Sequence, residues 1–279
     1  MKLYRVATEN GPVTAIEKEG TLYACDMPRV ETDGSIEDVQ LGKDLGSLAA
    51  ANLLAPVSPS KVIAIGANYL DHIREANMEP PPAPLIFSKF PSTLTGPTDP
   101  ILVDRSLTQR VDWEVELAVV IGRKMHHVPE ADVYDYVLGY TVANDVSARD
   151  VQFGDGQWVR GKSFDSFCPI GPAITTRDEV PDPQNLNLSL TVNGKTMQSS
   201  NTSEMYYKIP HLLAYCATCF TLEPGDVILT GTPWGCGEFM SPRVSLSSGD
   251  IVEATVEGLG SLKNEVQEFA SSALKTAAE

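Results

Sequence analysis

Alternation of apolar and polar positions dominates the chain beyond residue 60. In Leu186-Asn-Leu-Ser-Leu-Thr-Val192 the leucines and Val192 share one side, while Asn187, Ser189 and Thr191 share the other. That is a strand with one wet face. Asn193-Gly194 follows at once, a strong two-residue hairpin signal. Residues 61–66, 113–122, 136–142, 226–230 and 250–257 are predicted as further strands. Within the second of these, Leu117-Ala-Val-Val-Ile121 is apolar throughout, the pattern of a strand covered on both sides. Helical spacing is confined to segments near 68–77, 130–135 and 206–219. The regular alternation of strands with long helices is missing, so the pattern predicts a mostly β chain with short helices (α+β), arranged as a mixed or antiparallel sandwich or barrel.

Residues 1–58 read as a small α+β module of short strands, with turns at Asn10-Gly11 and Asp33-Gly34 and a helical segment near 43–54. Pro56-Val-Ser-Pro-Ser60 reads as the linker into a larger domain, residues 59–279. The tail 271–279 is expected to be a loose helix or a disordered end.

Composition changes this picture little, and charge changes it more. The 279 residues are 42% hydrophobic and 21% charged, enough apolar side chain to fill a core. Lys and Arg total 21 against 37 Asp and Glu, a formal net charge of -16. Such a surface repels nucleic-acid phosphates and anionic lipid, so neither nucleic acid nor membrane is an expected partner. An anionic substrate would need a local positive centre. The five cysteines are scattered and odd in number, as in a reducing compartment, and no apolar run is long enough for a signal or a bilayer span. A cytoplasmic location is therefore expected. Cys216-Ala-Thr-Cys219 has redox spacing but sits in an apolar helical run, which reads as buried structural thiols.

Candidate chemistry gathers in four places. Glu114 and Glu116 lie two apart on a strand, so both side chains leave from one face while Trp113, Val115 and Leu117 make the other apolar. Such a pair is ordinarily a solvated face. Here the apolar continuation argues for burial, where two carboxylates require neutralisation by a cation. Asp145, at the end of the 136–142 strand region, can complete a three-carboxylate set. Without His or Cys, that set favours Mg2+ or Mn2+ over Zn2+. His72 and Glu75 stand one helical turn apart, a base with a carboxylate to orient it, unless they are only a surface ion pair. Lys162 lies in Arg160-Gly-Lys162-Ser-Phe, flanked by glycine and turn residues. The glycine-rich run after Thr232 lacks the lysine and spacing of a phosphate loop, which excludes nucleotide binding of that type. His126, His127 and His211 show no ligand-like partners.

Taken in order, these elements resemble the fumarylacetoacetate hydrolase family over about residues 60–268. The resemblance implies a mixed β-sandwich roll, a homodimer, and Mg2+, Mn2+ or Ca2+ at the mouth of the roll. It implies Glu114, Glu116 and Asp145 as metal ligands, His72 and Glu75 as the water-activating pair, and Lys162 as the stabiliser of negative charge. Arg149, Gln152 and Thr232 match substrate-contacting positions. The reaction it implies is metal-dependent hydrolysis of the C–C bond of an acylpyruvate-type 2,4-dioxo acid, through an enolate, as in aromatic catabolism. Decarboxylation of oxaloacetate and isomerisation of hydroxymuconate-like diacids use the same site, and a non-catalytic ligand-binding relative is a further alternative. Trp158, residues 78–84 and the 234–243 loop are expected to shape the distal pocket, with Arg74 available to a second carboxylate.

Overall fold

The structure is a computed structural model and describes residues 1–269. Four antiparallel strands open it: β1 (Lys2–Thr8), β2 (Gly11–Lys18), β3 (Thr21–Ala24) and β4 (Asp44–Ser47). Then come β5 (Val62–Gly66), α1 (Leu70–Glu75), β6 (Leu85–Lys89) and the short β7 (Leu94–Thr95), β8 (Ile101–Val103) and β9 (Val111–Asp112). The central strands β10 (Val115–Ile121) and β11 (Val137–Asn144) lead through β12 (Ser147–Ala148) into α2 (Arg149–Asp155) and α3 (Trp158–Lys162). The chain closes with β13 (Cys168–Thr176), β14 (Asn187–Val192), β15 (Lys195–Asn201), α4 (Ile209–Cys219), β16 (Val227–Leu229), β17 (Ile251–Val256) and β18 (Gly260–Glu268).

The large mixed sheet runs β4-β3-β2-β1-β13-β11-β10-β16-β5-β6, with β7 paired parallel to β13. A second sheet, β15-β14-β17-β18-β8, packs over β10, β11 and β13. The two-residue period of β10 sorts its side chains between two cores. Val115, Leu117, Val119 and Ile121 enter the core between the sheets with Leu188, Leu190, Val252 and Val256. Ala118 and Val120 face the other way, onto Val62, Leu229 and Val57. Every residue of β10 is buried, as the unbroken apolar run predicted.

The first four strands are continuous with the large sheet, because β1 pairs antiparallel with β13 (Leu3 opposite Ile174). The helix expected near 43–54 does not form. Gly46 at φ 93° is incompatible with an α-helix, and residues 44–47 pair with β3 instead, leaving one 3-10 turn at Leu48–Ala50. Residues 130–136 are a 3-10 helix rather than an α-helix. Two short helices form where none was predicted, α2 after the strand end that carries Asp145 and α3 over the glycine-flanked stretch that ends at Lys162. On α4, Cys216 is buried as expected but Cys219 is exposed. No helix among the described residues is long and apolar enough to cross a membrane. The 271–279 tail lies outside the described residues.

Candidate active site

The alternation that buries Val115 and Leu117 turns Glu114 and Glu116 toward the opposite face. Asp145 follows the last residue of β11, and its backbone N–H donates to the Glu114 carbonyl (2.9 Å), which fixes the two segments side by side. Glu114, Glu116 and Asp145, all buried, each bring a carboxylate oxygen within 4.8 Å of the others. Lys162, at the end of α3, donates to Glu114 Oε2 (2.7 Å) and Asp145 Oδ2 (2.9 Å). Lys89, at the end of β6 and fully buried, donates to Asp145 Oδ1 (2.7 Å) and the Val146 carbonyl (3.2 Å). Arg149 opens α2, with Nη2 2.6 Å from Glu114 Oε1. Its Nε donates to Asp112 Oδ2 (2.9 Å) and its Nη1 to Gln152 Oε1 (3.0 Å).

Four buried carboxylates (Asp112, Glu114, Glu116, Asp145) thus meet three buried cations (Lys89, Arg149, Lys162). The surplus negative charge falls on Glu116. Its Oε2 accepts from the Gly231 N–H (2.7 Å), and no cation lies within ion-pair distance of it among the described residues. Burial, followed by the Asp145 and Glu114 carboxylates, pushes the Glu116 carboxyl well above the usual carboxylate range. Burial also raises the Glu114 carboxyl, but the Lys162 and Arg149 charges outweigh it and hold that group below its usual value. For Lys162 the desolvation is more than offset by Asp145 and Glu114, and its ammonium is held above the ordinary lysine value. A buried carboxyl whose charged form is disfavoured, beside two more carboxylates with converging oxygens, is a donor set that fits a hard divalent cation.

His72 lies on α1 with Nδ1 3.2 Å from Glu75 Oε2. The Gly235 N–H donates to both oxygens of Glu75 (3.0 and 3.1 Å). The Phe239 ring meets the His72 ring edge-on at 5.0 Å. The loop bearing these groups is fastened by Asp112, which accepts from the N–H of Gly237 (2.7 Å) and Glu238 (3.0 Å), and by the Trp113 indole, which donates to the Gly235 carbonyl (3.0 Å). Asp112 therefore ties the His72 side of the site to Arg149 on the carboxylate side.

A cavity of about 230 Å³ opens among these groups, with His72, Glu114, Glu116, Arg149, Lys162 and Thr232 in its lining. Gln152 also lines it, and aromatic rings (Phe87, Phe153, Trp158, Phe239) supply much of the remaining wall. A larger, open depression of about 620 Å³ beside Tyr140 and Arg177 contains none of these residues, so size does not locate the chemistry. Glu75 is one turn behind His72 and outside the lining. The Thr232 hydroxyl is already engaged, donating to the Val115 carbonyl (3.0 Å) and accepting from Gln198 (2.9 Å). Met78, Trp158 and Phe239 line the cavity, whereas the other residues of 78–84 and of the 234–243 loop do not. Arg74 does not: it points outward to Glu204 (2.9 Å) and is well exposed. Lys162 sits on a helix rather than in a turn. Lys89 and Asp112 were not legible as site residues. The one trace of Lys89 is a lysine closing the otherwise largely apolar Leu-Ile-Phe-Ser-Lys89 run.

The chain is 52% identical to the mitochondrial oxaloacetate tautomerase Fahd2a of Rattus norvegicus over 215 residues, 76% of this chain and 68% of that protein. Among solved structures, fumarylacetoacetate hydrolase from psychrophilic Exiguobacterium antarcticum superposes with a TM-score of 0.85 at 38% identity, covering 96% of this chain and all of that one. The 5-carboxymethyl-2-hydroxymuconate delta-isomerase of Mycobacterium smegmatis gives 0.83 at 38% identity, with the same coverage. Residues 61–267 match the family described as fumarylacetoacetate (FAA) hydrolase C-terminal, and they carry every candidate ligand and base named above. The chain belongs to the fumarylacetoacetate hydrolase family.

Proposed function

We propose that this protein is a divalent-cation-dependent tautomerase or isomerase of small 2-oxo acids, moving a proton at the carbon next to the 2-oxo group. The observation that carries this reading is one 230 Å³ cavity that joins a carboxylate set short of one cation to an imidazole held by its own carboxylate. The names of similar proteins, an oxaloacetate tautomerase and a hydroxymuconate isomerase, support the reaction class. Glu114, Glu116 and Asp145 are the residues that would hold Mg2+ or Mn2+, with Ca2+ as a third possibility. Such an ion supplies Lewis-acid polarisation of the 2-oxo oxygen. The remaining steps belong to the chain itself. Glu75 occupies Nδ1 of His72, so Nε2 is the nitrogen left to take the proton from carbon. The electron pair of the broken C–H bond becomes the C2–C3 double bond, and the charge on oxygen faces the Lys162 ammonium. Protonation of that oxygen completes the enol; in the reverse direction the enol O–H gives up its proton, His72 Nε2 returns a proton to C3, and the keto form results. Arg149 and Gln152 orient the substrate from α2, and Thr232 contributes through the wall it braces.

Hydrolysis of an acylpyruvate to pyruvate and a second acid is the second reading. What favours it is the same His72–Glu75 pair, a base and an orienter able to activate water as readily as to shuttle a proton. Catalysis within 59–279, a homodimeric assembly and a cytoplasmic location complete the proposal. Sedimentation tests the assembly, and fractionation tests the location.

The deciding experiment follows the ultraviolet absorbance of enol oxaloacetate in parallel with pyruvate release from oxaloacetate and a set of acylpyruvates, with Mn2+ and after chelation. Accelerated enol loss without pyruvate, slowed about 10²–10⁴-fold in His72→Ala, is the result expected of the tautomerase. Metal-dependent pyruvate release from acylpyruvates transfers the assignment to hydrolysis, and release from oxaloacetate alone transfers it to decarboxylation.

A further inference from the structure

The wall of the cavity is built as two parallel rows leading away from the carboxylates. On β6, Lys89 reaches Asp145, and Phe87, two residues back, projects from the same side of the strand. On α3, Lys162 reaches Glu114 and Asp145, and Trp158, four residues back, lies one turn away on the same helix face. The rows meet at Phe87. The Lys162 ammonium stands over the Phe87 ring, 5.2 Å from its centroid, and the Phe87 ring meets the Trp158 indole edge-on at 5.3 Å. Along the cavity wall the contacts therefore run from Lys162 to Phe87 and from Phe87 to Trp158, with Lys89 buried behind Asp145.

The indole is held at that point by what lies behind it. Gly66 ends β5 opposite Leu85, and a Cβ added at Gly66 would come within 2.5 Å of Trp158 Cζ3 and 3.2 Å of Leu85 Cδ2. The absence of a side chain at Gly66 makes room for the ring. The space left is about 230 Å³, below the roughly 300–1,000 Å³ of sites that take drug-sized ligands.

We propose that Trp158, seated on Gly66 and braced by Phe87, is a size-determining residue: it admits 2-oxo acids with a short distal group and rejects those with an aryl or long alkyl tail. This rests on the 2-oxo-acid reading above and adds the length limit to it. A 2-oxo acid anchored by its carboxylate end at the carboxylate–lysine floor extends toward Phe87 and then the indole. A group that cannot pass the ring must displace it from between Gly66 and Phe87.

Calorimetric titration of the Mn2+-loaded protein with pyruvate, 2-oxohexanoate and phenylpyruvate tests the limit without reference to turnover. In the unaltered protein, phenylpyruvate is expected to bind at least about tenfold more weakly than pyruvate, the scale on which a closed apolar pocket discriminates. In Trp158→Ala that ratio is expected to fall by about tenfold or more, with 2-oxohexanoate following it. Trp158→Phe, a smaller disturbance to the fold, is expected to fall in between. A phenylpyruvate-to-pyruvate ratio near one in the unaltered protein overturns the proposal. So does a ratio that survives both substitutions while pyruvate still binds, which leaves the 2-oxo-acid reading intact. Failure of the unaltered protein to bind any of the three acids removes that reading, and the size limit with it.

Discussion

Lys162 neutralises two buried carboxylates at once, and the rest of the site depends on that double contact. Replacing it with methionine keeps the volume but leaves Glu114 with Arg149 alone and Asp145 with Lys89 alone, each in a buried place. Breaking a buried ion pair in this way costs about 3–5 kcal/mol, and removal of a charge that stabilises an oxyanion costs about 10²–10³ in rate. Lys162→Met is therefore expected to lower the denaturant midpoint, and to slow turnover at saturating Mn2+ by about that factor. Lys162→Arg is not a rescue, because a planar fork does not reproduce a compact ammonium between two carboxylates. Spacing alone made legible the residues whose partners are close by, Glu114 with Glu116 and His72 with Glu75, while Lys162, Arg149, Gln152 and Thr232 took their roles from the family resemblance. Lys89 and Asp112 escaped because their meaning lies in partners 56 and 37 residues away, Asp145 and Arg149. Nothing local distinguishes such a lysine or aspartate from a surface residue.

Strands were read well because a two-residue period needs few residues to show itself, and β10, β11, β14 and β17 fall where alternation or apolar runs placed them. Helices α2 and α3, seven and five residues long, are barely two turns, too short for a 3.6-residue period to emerge. Yet they carry Trp158 and, with Arg149, Gln152 and Lys162, three of the seven polar or charged side chains that line the cavity. Loops divide in the same way. Asn193-Gly194 was recognised as a hairpin turn from its dipeptide, and Gly194 at φ 77° has open space around its Cα. Gly235 at φ 98° is different, because an added Cβ would run into the Met197 carbonyl. Gly194→Ala is expected to cost about 1–2 kcal/mol, the left-handed penalty alone. Gly235→Ala should cost more, since the backbone must also shift, and that shift loosens the N–H that grips Glu75. Equilibrium unfolding of the two variants measures the difference. Only the Gly235 variant should also raise the KM and lower the kcat.

At the scale of the molecule, the sheet begun by the first four strands continues across β13 into the strands that carry the site, and the chain with a net charge of -16 encloses the cavity that the proposed function assigns to an anion. The general surface repels that substrate, so attraction must come from the floor of the cavity. There, four carboxylates against three cations leave the balance negative until a further positive charge arrives. Folding and cation binding are consequently linked. An ion that binds the folded chain at Glu114, Glu116 and Asp145 and not the unfolded one adds RT ln(1 + [ion]/Kd) to stability, about 2.7 kcal/mol at a hundredfold excess over Kd. Thermal unfolding followed across a Mn2+ titration is expected to show a midpoint that keeps climbing with concentration, and chelation is expected to return it to the starting value. Glu116→Gln separates this from nonspecific salt effects. The substitution removes the carboxylate that burial and its neighbours already disfavour, so the metal-free variant should be at least as stable as the unaltered protein. Its midpoint should then stay nearly flat as Mn2+ is added. A variant midpoint that rises with Mn2+ as steeply as that of the unaltered protein would place the ion elsewhere, and would withdraw the carboxylate set as the cation site.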